Sequence, residues 1–273
     1  MNFEGETVKI ERITAKNNQN IKNIAKLVKS SSYRKELGLF VVEGLRLCKD
    51  ALNSGVKFET LLITQQFEDE HKSLCNSLIE NSETVYSVTL EIMQKISDTV
   101  SPQGVFGVIK SDEKSFDYNQ DGKYLALVNL QDPSNLGAAA RTAEALGLSG
   151  IIVCGGCDVY NPKALRASMG AFFRMNVRTY QTTAEMFDDF KSNRVKTFAS
   201  TPRKAAKPIA NAYFSNPCAV LIGNEANGLD DDTIERCNCM ITIPMAGRAE
   251  SLNASAAAAI ICYAMMTGGA END

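Results

Sequence analysis

Residues 124–147 read YLALVNLQDPSNLGAAARTAEALG, and the two halves of this stretch have different periods. The first seven residues are apolar at almost every position, the pattern of a short strand buried on both faces. Asp132, Pro133, Ser134 and Asn135 then make a turn, and an alanine-rich helix follows, with Asn135 or Ser134 as its expected cap. Gly137 lets another segment approach closely, and Arg141 sits on the second turn among small residues. Strand, turn and helix in this order form one unit of a parallel sheet covered by helices. The same alternation recurs at 151–153, 195–199, 219–222 and 240–243, all short apolar runs. Ahead of residue 124, β-branched runs at 39–42, 60–63, 84–88 and 105–109 repeat the pattern, with helical periodicity between the first three. The polar stretch KSDEKSFDYNQDGK at 110–123 separates the two series. The expectation is an α/β protein with a smaller α/β domain over 1–112, a linker over 113–121, and a parallel-sheet domain over 122–273.

Composition narrows the function classes. The chain has 273 residues, 44% apolar and 22% charged, enough for two ordinary cores of roughly 150 residues each. No apolar run approaches the roughly 20 residues of a membrane span. The first residues, MNFEGETVKIERI, are polar and charged, which argues against a cleaved secretory leader. Eight cysteines without framework spacing fit free thiols in a reducing compartment, so a cytoplasmic setting is expected. A single histidine, His71, removes most His-based chemistry, His-rich metal sites above all and most routes to a triad. The net charge of −3 hides two basic runs: residues 9–49 carry ten Lys or Arg against three acids, and 158–208 carry ten against four. Such runs meet phosphate locally even on an acidic protein, although solvated helix faces give the same pattern.

Two further segments complete the pattern. VLIGNEANGLDD at 220–231 is a strand that stops at Gly223, with Asn224, Glu225 and a second glycine, Gly228, directly after it. Backbone laid bare at the carboxyl end of such a strand is the usual binding edge of an α/β sheet, and a structural turn is the plainer alternative. ITIPMAGRAESLNASAAAAIICYAM at 241–265 runs from a strand through a Gly-containing loop to a final helix, with Ser251 as a natural cap. Leu252, Ala256, Ala259, Ile260 and Tyr263 form one apolar stripe on it, packed either within the fold or against a second subunit.

Taken together, in this order and spacing, the three segments resemble the motifs of the SpoU (TrmH-like) family of RNA 2′-O-ribose methyltransferases. The N-x-G-x-x-x-R core falls at Asn135, Gly137 and Arg141, LIGNEANGL at 221–229, and IPM with ESLN within 243–253. FVVEGLRLCKDAL at 40–52 and SPQG at 101–104 resemble the substrate-binding domain that often precedes this catalytic domain. The resemblance implies a homodimer, a C-terminal trefoil knot, and S-adenosylmethionine held by backbone at Gly223, Ile243 and Leu252, with Met245 nearby and Ser200 and Thr201 on a first loop. It implies catalysis by Arg141, as base or as charge clamp, with Asn135 and Glu225 positioning and Ser251 and Asn253 hydrogen bonding around the arginine and the substrate. RNA phosphates are expected at Lys163 and Arg166, close to that site, and at Arg34, Lys35 and Arg46. Ribosomal RNA, of the large subunit first, is the expected substrate; transfer RNA and a catalytically silent RNA-binding module are the alternatives.

Two competing readings are weighed against this one. Cys154-Gly-Gly-Cys157 has C-x-x-C spacing, which fits redox chemistry or half a zinc site, but a short glycine turn explains it without a metal. The missing G-x-G-x-x-G argues against a nucleotide-cofactor enzyme on an ordinary Rossmann sheet. No membrane and no metal partner are expected.

Overall fold

The computed structural model describes residues 9–111 and 116–268. Residues 1–8 of the polar start, and residues 112–115 at the expected domain boundary and linker, lie outside the described residues. Among those described, no helix is long and apolar enough to cross a membrane.

The chain forms two units. The first carries a mixed sheet of β1 (Ile10–Ile13), β2 (Leu39–Glu43), β3 (Phe58–Ile63), β4 (Ser82–Val88) and β5 (Val105–Lys110), in the order β1-β4-β3-β5-β2. β5 runs antiparallel to both β3 and β2, while β1, β4 and β3 are mutually parallel. Strand alternation splits the core into two layers. Phe40, Val42, Leu61 and Ile63 face one, and Val41 and Leu62 face the other.

A division of the chain at the polar stretch omits one excursion. Residues Tyr160–Phe173 belong to the first unit, although they lie far along the sequence from it. Leu165 and Phe173 enter its core, and the Tyr160 ring stacks on Phe40 with centroids 4.4 Å apart.

The second unit is built on β6 (Lys123–Val128), β7 (Gly150–Cys154), β8 (Asn176–Tyr180), β9 (Lys196–Ser200), β10 (Lys207–Pro208), β11 (Cys218–Ile222) and β12 (Cys239–Thr242). They lie in the order β10-β12-β9-β11-β6-β7-β8 and every pairing is parallel. β7 and β11 are buried at every position, as strands covered on both faces must be. β1, β8 and β10 were not legible as strands because all three are edges and carry polar, mostly exposed residues.

One expected RNA contact changes role here. Arg34 is 4% exposed, and its Nη1 donates to the carbonyls of Leu27 (2.7 Å) and Val28 (3.1 Å), in the last turn of helix Gln19–Lys29. Those carbonyls have no partner inside the helix, so the guanidinium closes its end and favours its dipole. Arg34 is therefore a structural residue rather than a phosphate contact. Arg34→Ala should lower the stability of this unit by about 1–3 kcal/mol, since it leaves buried acceptors unsatisfied. Denaturant unfolding checks this, and unchanged stability would contradict it.

Candidate active site

The register of the large sheet assembles the ligand edge. β9 lies between β11 and β12, with Ala199 opposite Leu221 and Ser200 opposite Ile241. Thr201 N–H donates to the Ile241 carbonyl at 2.9 Å. Thr201, Gly223 and Ile243 thus follow the carboxyl ends of three adjacent strands, where open α/β sheets bind ligands.

Gly223 is required by packing. A Cβ on it would lie 2.1 Å from the carbonyl carbon of Gly228 and 2.2 Å from Leu229 N. The turn closes through Asn224, whose N–H donates to the Gly228 carbonyl (3.1 Å) and whose carbonyl accepts from Gly228 N–H (2.9 Å). Its side-chain Oδ1 accepts from Ala226 N (2.8 Å) and Asn227 N (3.3 Å), and its Nδ2 donates to the Asn129 carbonyl at 3.0 Å. Beyond Ile243, residues 244–253 are exposed. Among the described residues, 243–252 make no backbone–backbone hydrogen bond outside strand pairing. Their N–H and C=O groups are left for water or a ligand.

A polar chain joins this edge to two helices. Asp132 caps helix Pro133–Ala145 by accepting from Ser134 N at 2.9 Å, with Pro133 in the first turn. Neither Ser134 nor Asn135 is the cap: proline needs no N–H partner, and the cap moves one residue ahead of it. Asn135, 8% exposed, instead points its amide into the fold. Its Nδ2 donates to Glu225 Oε1 (3.0 Å), and its Oδ1 accepts from Asn253 Nδ2 (3.0 Å). Asn253 Oδ1 caps helix Ala254–Thr267 through Ser255 N at 2.9 Å, so Asn253 takes the place expected of Ser251, which is exposed. Glu225 also accepts from the backbone N–H groups of Gln131 (3.0 Å) and Asp132 (3.2 Å). Burial raises its pKa, but the donors from Asn135, Gln131 and Asp132 outweigh burial and leave the carboxyl below its ordinary value.

The structure therefore brings Asn135, Glu225 and Asn253 together. Arg141 does not join them. It is exposed, six residues along the helix from Asn135, about 9 Å of helical rise. Met245 and Leu252 are 40% and 38% exposed beside the open loop. In the first unit, Arg166 Nη2 donates to Asp98 Oδ2 at 2.6 Å, and its Nη1 lies 3.9 Å from buried Glu43. Its charge is thus paired within the unit. Lys35, Arg46 and Lys163 are exposed.

Four contributors escaped the sequence reading: Asp132 as cap, Asn224 as the turn's clasp, and the Gln131 and Asp132 N–H groups. Asn129, with φ 55°, offered a signal, because asparagine is the common residue for left-handed backbone next to a turn. The C-x-x-C segment serves the same loop. Gly155 and Gly156 are left-handed, and a Cβ on Gly156 would meet the Leu130 carbonyl oxygen at 2.3 Å. Burial, aided by nearby carboxylates, pushes both Cys154 and Cys157 up to about 11, the wrong direction for a reactive redox thiolate.

Fold and edge define an α/β domain with open backbone beside three adjacent strand ends. The chain belongs to the SpoU rRNA Methylase family: residues 122–263 match it, and residues 18–107 match the MRM3-like substrate binding domain. It is 30% identical to an uncharacterized tRNA/rRNA methyltransferase of Synechocystis sp., over 94% of each chain. It is 29% identical to the 23S rRNA (guanosine(2553)-2′-O)-methyltransferase RlmP of Bacillus subtilis, covering 93% of this chain and 98% of that one. The AdoMet-bound rRNA methyltransferase of Sinorhizobium meliloti superposes with a TM-score of 0.84 at 28% identity, covering 94% of this chain and 97% of that one.

The lowered Glu225 pKa has a pH signature. A depressed carboxyl keeps its charge, and the contacts that need it, as pH falls through the ordinary carboxylate range, and loses them only as pH falls through its lower folded value. A pH titration of the Asn135 side-chain amide by NMR should give a midpoint below 4.5, the unperturbed value. A midpoint at or above that value would contradict the network.

Proposed function

We propose that this protein transfers the methyl group of S-adenosylmethionine to a ribose 2′-oxygen of ribosomal RNA, of the large subunit. The observation that carries this reading is the row Thr201, Gly223 and Ile243 at three adjacent strand ends, tied through Glu225 and Asn135 to Asn253. The bare backbone of 243–252 and the half-exposed Met245 and Leu252 fit an adenosine, which needs peptide partners at its edges and apolar cover on its faces. Ser200 and Thr201 supply the first of the three loops. The named activity of RlmP and the AdoMet-bound relative support the same substrate and cofactor over nearly the whole chain. A transfer RNA substrate is the weaker reading, because the front domain matches that of an rRNA enzyme type.

Bound S-adenosylmethionine supplies an electrophilic methyl on a positively charged sulfur. What remains for the chain is to aim the 2′-oxygen and favour its loss of a proton. An arginine is effectively always charged near neutral pH, so Arg141 acts as a clamp that polarises the hydroxyl and holds the neighbouring phosphate. Asn135 is fixed by an acceptor on one side and a donor on the other, which leaves its amide one orientation. Glu225 thereby positions rather than reacts, and Ser251 is available for the substrate. Phosphates further along the RNA fall to Lys35, Arg46 and Lys163.

The reading extends to a homodimer. The stripe Leu252, Ala256, Ala259, Ile260 and Tyr263 stays on the outside, with Ile260 40% and Tyr263 61% exposed, while Ala254, Ala258, Ile261, Cys262 and Met265 face inward. A second copy covering that stripe removes apolar surface from water and brings further groups to the exposed Arg141. The family's trefoil knot is part of the same proposal, supported by a strand order in which β11 enters between β6 and β9. So is a cytoplasmic setting, supported by eight cysteines that are all free thiols.

Arg141→Ala should reduce transfer of labelled methyl to rRNA from cells lacking the protein by roughly 100-fold or more, the usual loss when a charge-stabilising donor goes. Cofactor affinity should stay within about 2-fold, since Arg141 lies off the strand-end row. Transfer at the normal rate would remove Arg141 from the mechanism.

A further inference from the structure

We infer that a second anion site, at the amino-terminal edge of the large sheet, holds backbone phosphates of the RNA substrate. The inference rests on the RNA reading above and adds a contact remote from the reacting atoms. A cleft of about 680 Å³ opens there, and Lys191, Arg194, Lys196 and Arg236 line it, with Asp188 as the single acid. Three of these cations come from the second basic run of the sequence.

These four cations make no ion pair among the described residues, in a chain whose net charge is −3. Elsewhere in the same unit, Arg174 is paired with Glu144 and Arg203 with Asp231. Asp189 is not among the residues that line the cleft, and its carboxylate is engaged by Tyr180 Oη and Asn193 Nδ2. Four like charges around one cleft repel one another, and a polyanion relieves that repulsion.

The groups are held ready without being neutralised. The Arg236 guanidinium lies 4.6 Å from the centre of the Phe187 ring, and Lys196 Nζ lies 5.4 Å from that of Phe198. Asn238 Oδ1 accepts from Thr197 N (2.8 Å) and Thr197 Oγ1 (3.0 Å), which leaves its Nδ2 as a donor beside the cations. Phe187 and Phe190 are buried, so the cleft offers charge and donors but no face on which a base could stack. Such a site reads phosphate and not sequence.

Position fits one RNA engaging both ends of the sheet. β9 starts at Lys196 in the cleft and ends at Ser200 beside Thr201. Five residues of strand span about 13 Å, roughly four nucleotide steps along one strand.

The test compares the full-length protein with a Lys191→Gln, Arg194→Gln, Arg236→Gln triple variant. The probe is large-subunit rRNA from cells lacking the protein, bound over a salt series. The variant should show a log–log salt slope shallower by about 2 to 3, and roughly 10-fold weaker binding near physiological salt. KM for rRNA should rise by the same factor, with kcat and cofactor affinity unchanged. The single variants Arg194→Gln and Arg236→Gln should each take about one from the slope, so the assignment stays testable if the triple variant is unstable. An unchanged slope and KM overturns the inference, and so does a fall in kcat alone. Variant-sensitive binding of inorganic tripolyphosphate with RNA binding unaffected also overturns it, because the cleft would then serve a small anion. Wild-type protein that binds and methylates no rRNA removes the proposed function itself, and this inference with it.

Discussion

Glu225 occupies a turn that has no regular structure of its own, yet its carboxylate accepts from two backbone N–H groups and one side-chain amide on another segment. Those donors belong to the loop that leaves β6 and to the first turn of the helix after it. Asn135 hands the connection on to Asn253 and so to the start of the final helix. A carboxylate with three donors is a strong and directional tie, stronger than neutral hydrogen bonds of the same number. It fixes the 223–229 turn against the helix that carries Arg141, and everything proposed for the reaction depends on that relation.

Around this tie, the sheet and the site share one design. Continuous burial of β7 and β11 keeps the strands parallel and covered, and parallel strands deliver all their carboxyl ends to one edge. Gly223 lets the turn fold back onto Gly228 at a distance no side chain tolerates, and Gly156 does the same for the neighbouring loop against Leu130. The energy of the fold therefore sits in buried apolar strands, while the residues proposed for the chemistry sit in and beside loops that leave their backbone exposed. The same sheet presents opposite surfaces at its two ends: open peptide groups with an amide–carboxylate chain at one, and, at the other, cations that make no ion pair among the described residues.

Much of this was legible in the sequence. The apolar runs placed the buried strands to within a residue or two, since such runs, bounded by turn residues and rich in β-branched side chains, are too short for helices. The motif residues Asn135, Glu225 and Asn253 do meet, and Gly223, Ile243 and Thr201 do share an edge. Capping was harder to read, because Asp132, Ser134 and Asn135 are all good caps and only the proline between them decides. Edge strands such as β8 were hidden by their polar exposed residues. Arg34 and Arg166 looked like surface charges, but their partners, the Leu27 and Val28 carbonyls and the acids Asp98 and Glu43, are set by tertiary packing. The excursion of Tyr160–Phe173 into the first unit is likewise a long-range fact with no local signature.

The central claim is that this edge directs methylation to a ribose oxygen of ribosomal RNA. Mapping of ribose methylation across total RNA, with and without the protein in otherwise identical cells, tests it most directly. The account predicts the loss of a discrete 2′-O-methyl group from large-subunit RNA when the protein is absent, restored by the wild-type chain. Identical maps, or a missing methyl on a base rather than a ribose, would contradict it.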